Sequence, residues 1–182
     1  GTLYACWKLD VFYCEAGKAA DGTACSAGYF CPGDKVAAGT ENDTTNGCER
    51  KCPSETGKTV TSASGAKLIT QCSASGDVDI YESTNTTVTG SGTKTCSWDG
   101  DSYDASCNTV PKSCIGGYYR PADNSPFCNP VGYGYYRGNS DGIRTRNLCS
   151  DLPGADSTVT TKTETSSAAT ACYNTCSQIK TT

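Results

Sequence analysis

Fourteen cysteines and no histidine decide which chemistry this chain can carry. Without imidazole, neither a Ser-His-Asp nor a Cys-His nucleophilic pair can be assembled, nor can any histidine metal site. The closest cysteine pairs, Cys48/Cys52 and Cys172/Cys176, are spaced C-x-x-x-C rather than C-x-x-C. That spacing points away from a thioredoxin-type redox site and toward structural bridges. Two carboxylates could serve glycoside hydrolysis, and 19 residues are acidic, but so thin a core predicts no deep pocket to hold a pair of them. Asp99-Gly100-Asp101-Ser102-Tyr103-Asp104 gathers three carboxylates, the hard oxygen ligands calcium prefers. Its spacing is not that of an EF-hand, and Asp-Gly is a strong hairpin signal, so it reads as a turn. No catalytic residue, metal ligand or cofactor is assigned, and the chain is expected not to be an enzyme.

The elements around these residues must be held by sulfur. Leu, Ile, Val and Phe together number 21 of 182 residues, well below the roughly one-fifth under which chains stay disordered. Serine and threonine make up a quarter of the chain. An even set of cysteines (Cys6, Cys14, Cys25, Cys31, Cys48, Cys52, Cys72, Cys96, Cys107, Cys114, Cys128, Cys149, Cys172 and Cys176) therefore reads as a disulfide framework whose connectivity the sequence leaves open. Each bridge contributes roughly 2–4 kcal/mol, enough in sum to replace the missing aliphatic core. Disulfides persist in oxidising places, so the expected location is extracellular or on a cell surface. The formal charge of −4 argues against nucleic acid, which selects a basic face. No apolar run approaches the roughly 20 residues of a membrane helix. The start Gly1-Thr2-Leu3 lacks the features of a signal peptide, which predicts a processed mature chain or a fragment of a longer one.

Four segments follow along the chain. Residues 1–24, with Leu3, Trp7, Val11 and Phe12, predict one or two short strands, Trp7 being the best anchor. Residues 25–72 form a first cysteine-rich module, in which residues 56–61 and 66–70 flank a turn at 62–65 and predict a hairpin ending at Cys72. Residues 73–113 alternate polar and apolar positions and predict a small antiparallel meander, with Gly90-Ser91-Gly92 as a turn and Trp98 against its face. Residues 114–182 hold a second module and a tail, for which one or two helical turns are expected through Ala168–Cys176. The layout of 25–72 returns in 128–172, with Cys128 opposite Cys25, which points to an internal duplication.

One short unit is written three times. Gly28-Tyr29-Phe30-Cys31-Pro32-Gly33 returns as Gly117-Tyr118-Tyr119-Arg120-Pro121-Ala122 and as Gly134-Tyr135-Tyr136-Arg137-Gly138. A glycine turns the chain, two aromatics offer flat surface, and Pro or Gly stops any regular element. Trp7, Tyr29, Phe30, Tyr118, Tyr119, Tyr135 and Tyr136 are thus candidates for an interface, or else filling between disulfides. Asn42-Asp43-Thr44 and Asn85-Thr86-Thr87 fit the N-glycosylation pattern.

The turns Cys25-x-x-Gly-Tyr-Phe-Cys-Pro-Gly and Cys114-x-x-Gly-Tyr-Tyr-Arg-Pro resemble the C-x-x-G-Y-Y turns of cysteine-rich extracellular repeat proteins, which are similar to the cysteine-rich modules of ephrin and tumour-necrosis-factor receptors. The stretch from Gly92 through Cys96 and Trp98 to Cys107 and Cys114 resembles a linker of repetitive bacterial surface proteins. The resemblance implies a disulfide-laddered surface protein without catalytic residues. The fold expected is small, disulfide-rich, mostly β and loop, an elongated array of short hairpin modules. The expected function is an extracellular structural protein, a subunit of a filament, sheath or coat or a segment of a stalk, whose partners are copies of itself. The alternative is a receptor-like or adhesin module recognising protein or glycan through the aromatic turns. A third class, a small disulfide-rich inhibitor, needs an exposed primary residue, and Arg137 is the best candidate.

Overall fold

A computed structural model describes residues 10–84, 86–156 and 158–174. The described chain has fourteen strands, three 3-10 turns and no α-helix. In order the strands are β1 (Val11–Tyr13), β2 (Tyr29–Phe30), β3 (Lys35–Ala37), β4 (Arg50–Lys51), β5 (Thr59–Thr61), β6 (Ser73–Tyr81) and β7 (Val88–Ser97). They continue as β8 (Ala105–Cys114), β9 (Tyr118–Tyr119), β10 (Asn129–Pro130), β11 (Tyr135–Tyr136), β12 (Asn147–Leu148), β13 (Val159–Thr161) and β14 (Cys172–Asn174). Five sheets have only two strands (β1-β3, β2-β4, β9-β10, β11-β12 and β13-β14), and one has four, in the order β5-β6-β7-β8. Gly and Pro break the chain too often for longer elements to form outside residues 73–114. The fold is therefore small, mostly β and loop, and laced by six described disulfides: 14–48, 25–31, 52–72, 96–107, 114–128 and 149–172.

Two compact units are present, one from residues 1–76 and 95–107, the other from 77–94 and 108–182. In the first, Cys52, Cys72, Ala74, Cys96 and Tyr103 form the core, with Phe30, Val60 and Trp98 against it. In the second, Ile80, Cys114 and Cys128 are joined by Val78, Tyr118 and Ile143. Among the described residues, nine of the fifteen buried hydrophobic ones are cysteines. Sulfur does here what leucine does in an ordinary domain.

Three expectations from the sequence need correction. Residues 66–70 do not form the second arm of a hairpin; β5 pairs instead with the start of β6, Val60 opposite Ala74. The Gln71 carboxamide oxygen accepts the N–H groups of Lys67 and Leu68, curling that stretch into a 3-10 turn before Cys72. Gly90-Ser91-Gly92 is not a turn but the interior of β7. A Cβ at either glycine would collide with a β8 carbonyl, that of Ser113 or Val110, so these glycines serve close strand approach. The tail forms one helical turn, of 3-10 type, at Ala169–Ala171 and then β14 rather than a second turn, as far as Asn174. Leu3, Cys6, Trp7, Asn85 and Cys176 lie outside the described residues, while the other arm of the N-terminal segment, β1, pairs with β3.

The two units share a set of matched hydrogen bonds. Gly17 donates to the Cys31 carbonyl at 2.9 Å, and Gly117 to that of Arg137 at 2.8 Å. Cys25 donates to the Gly17 carbonyl, and Val131 to that of Gly117. The Gly28 N–H meets the Ser62 hydroxyl at 3.0 Å, and the Gly134 N–H meets that of Thr161 at 3.2 Å. Cys52 donates to the Gly28 carbonyl, and Cys149 to that of Gly134. Cys31 donates to Ala66, and Arg137 to Ser166. In each unit a 3-10 turn then leads to the closing cysteine, Cys72 or Cys172. These bonds register Val131, not Cys128, with Cys25; Cys128 is bridged to Cys114.

Candidate binding surface at the aromatic turns

In each aromatic turn a left-handed glycine (φ +85° at Gly28, +85° at Gly117, +77° at Gly134) reverses the chain into a two-residue strand. Beyond that the turns diverge. In the first, Cys25 is bridged to Cys31. In the register of the second unit those two positions are Val131 and Arg137. Arg137 is only 2% exposed, which excludes it as the exposed primary residue of an inhibitor. Its Nη1 donates to the carbonyls of Cys114, Ile115 and Tyr118, its Nε to Gly142 and its Nη2 to Asp141, all within 2.8–3.2 Å. Burial lowers the Arg137 pKa from its usual value, and the Asp141 carboxylate opposes that shift. A guanidinium at this depth is tolerable because its donors meet carbonyl oxygens.

The aromatic side chains also differ in use. Phe30 packs on the first core, and Tyr118 on the second. Tyr119 and Tyr135 share the Arg146 guanidinium, which lies 4.7 Å and 4.3 Å from their ring centres and donates to the Val131 carbonyl. Tyr136 is half-buried opposite Asn147. Tyr29, paired with Lys51 across β2 and β4, borders a concavity of about 350 Å³ together with Lys51, Cys52, Glu55, Lys58 and Val60. A second concavity of similar volume, lined by Val78, Ile80, Lys94 and Phe127 among others, lies in the other unit. The sequence pattern did not single out Lys51 or Lys58, nor connect Arg146, in its densest basic cluster, to the aromatic turns; the fold brings them to the rings from other strands and loops.

The remaining candidates are placed as follows. Asp99 accepts the N–H groups of Asp101 and Ser102, which hold its carboxyl below the usual range; the acidic stretch is thus a turn. Tyr103 of that turn donates to the Pro53 carbonyl and meets Trp98 edge to face, and burial raises its pKa. Among the described residues, Cys25, Cys31 and Glu49 group as metal-type donors, but the sulfurs are bonded to each other and Glu49 accepts the Ser26 N–H. Asn42 and Thr44 are exposed in the loop between β3 and β4.

Comparison of the chain with protein-family models, curated proteins and solved structures finds no match. The chain is a cysteine-rich, disulfide-bonded, mostly-β protein. Six disulfides mark an oxidising environment, and among the described residues no helix is long and apolar enough to cross a membrane.

Proposed function

We propose that the chain is a structural protein of the cell exterior, a self-associating subunit of a filament, sheath or coat, or a segment of a surface stalk. The observation that carries this reading is the cystine core. Buried sulfur gives rigidity and resistance to unfolding in a chain too poor in aliphatics to gain them otherwise. Among the described residues the one buried charged side chain, Arg137, is tied to backbone carbonyls, and the carboxylates of Asp21, Asp43, Asp99 and Asp156 cap their own turns. Such use of polar groups favours shape over chemistry.

Two features favour association between copies. Each strand of the five two-stranded sheets has a side unpaired by any strand of its own sheet, a ready seam for another chain. Tyr13, in β1, stands 63% exposed beside such a seam, and Tyr133, in the turn before β11, is 60% exposed. The long outer strand β8 is less suited, because Pro111, Lys112 and the left-handed Ser106 (φ +45°) blunt it. A heterologous contact that does not close on itself extends into a filament. The resemblance of the aromatic turns to cysteine-rich surface repeats agrees with this location.

The test is light scattering with negative-stain microscopy on oxidised protein, with and without reductant. Ordered polymers that disassemble on reduction are expected; a monomer at every concentration contradicts the reading. The second reading, a binding module, is favoured by the open concavity at Tyr29.

A further inference from the structure

The first and third aromatic turns treat equivalent tyrosines differently. At Tyr135 the ring is occupied by Arg146. Among the described residues no cation lies over Tyr29, yet Lys51 and Lys58 line the same concavity. Neither lysine enters any of the three ion pairs among the described residues, although Glu55 also lines the site. Lys58 is half-buried, and its stem lies against Gly76, where a Cβ would come within 2.6 Å of Cδ and 2.9 Å of Nζ. The missing side chain at Gly76 leaves room for the Lys58 stem and ammonium group. Two cations against one carboxylate give a local positive excess in a chain of net charge −4.

We propose that this concavity binds a carboxylate-bearing saccharide ring. Tyr29 supplies a flat apolar face for the C–H side of a pyranose, as an amphipathic aromatic does. Lys51 and Lys58 take the carboxylate in charge-assisted hydrogen bonds, and Glu55 accepts from ring hydroxyls. The volume lies at the low end for small-ligand pockets, which suits a sugar residue better than a folded partner. A neutral sugar leaves at least one of the two ammonium groups without a counter-charge. A nucleic acid would meet only two cations here, too few for a polyanion footprint. The site goes beyond self-association and does not depend on it; in a surface layer it would fasten the subunit to acidic polysaccharide.

The test is calorimetric titration of the full oxidised chain with tetragalacturonate, sialyllactose and, as neutral control, cellotetraose. Saturable binding of either acidic probe is expected, weakened about tenfold or more by Lys58→Gln and also by Tyr29→Leu, and unchanged by Lys94→Gln in the other unit. Tetragalacturonate alone binding identifies an internal uronate of a polymer, and sialyllactose alone a terminal acidic sugar. No saturable binding of either acidic probe overturns the proposal, as does equal binding of cellotetraose or equal loss in the Lys58 and Lys94 variants. Melting curves and non-reduced peptide maps check that each variant is folded; if Tyr29→Leu is not, Lys58→Gln decides. Light scattering on the same samples separates failure of binding from failure of assembly.

Discussion

Residues 25–31 and 131–137 trace the same turn with different fastenings. In the first unit a covalent bridge joins the two ends of the turn. In the second, Val131 is fully buried at one end and Arg137 spreads its donors over five carbonyls from the other. The disulfide acts largely by limiting the unfolded chain, whereas the arginine acts only once the carbonyls have converged on it. The same contrast runs through the ring surfaces. Arg146 fills the space between Tyr119 and Tyr135, while the lysines near Tyr29 leave a concavity open. At the Tyr135 ring the cation is already engaged, whereas Lys51 and Lys58 near Tyr29 enter no ion pair among the described residues.

The largest effect expected from breaking this comparison is at Arg137. Arg137→Met leaves five buried or half-buried carbonyl acceptors without that donor and should cost about 3 kcal/mol or more in denaturant unfolding. Arg137→Lys should recover only part, because an ammonium lacks the planar fork. A loss under about 1 kcal/mol for Arg137→Met would mean the carbonyls find other donors. The counterpart in the first unit, Cys25→Ala with Cys31→Ala, opens a short loop and should cost about 2 kcal/mol.

Arg146→Ala should be milder. Loss of the shared guanidinium is expected to cost about 1 kcal/mol and to shift the ring proton resonances of Tyr119 and Tyr135 together. A shift in one ring alone would show that the two do not share the cation.

Acid should have the smallest effect. Asp21, Asp43, Asp99 and Asp156 accept hydrogen bonds from their own turns, chiefly from Thr23, Thr45, Ser102 and Thr158, and their pKa values lie below the ordinary 3.8. A carboxylate held low when folded stabilises the fold above its unfolded pKa, and this is lost as pH falls through the folded value. Melting temperatures should therefore be flat from pH 7 to about 5 and decline modestly below about 4. A decline already complete at pH 5 would point to other groups.

Much of the framework was legible because cysteines, glycines and Asp-Gly turns act locally. The disulfide-dependent, mostly-β fold follows from too few aliphatics beside many cysteines, and the turn at Asp99 from its own side-chain geometry. The pairing of β5 with β6 was hidden because Gln71 diverts residues 67–71 into a turn through a side-chain hydrogen bond. Gly90 and Gly92 misled because a glycine pair looks the same whether it bends the chain or admits a neighbouring strand. Arg137 stood opposite Cys31 in the repeated motif, yet arginine is rarely buried, and only the converging carbonyls reveal it as a fastening. The lysines near Tyr29 carried no signal, since their spacing has meaning only once β2, β4 and the loop before β5 meet.

The correspondence of the two units is tested most directly by writing the first fastening into the second. Val131→Cys with Arg137→Cys, produced under oxidising conditions and mapped by non-reducing mass spectrometry, should yield a 131–137 disulfide with the six described bridges intact. Two free thiols at 131 and 137, or pairing of either with another cysteine, would contradict the claim that these positions repeat Cys25 and Cys31.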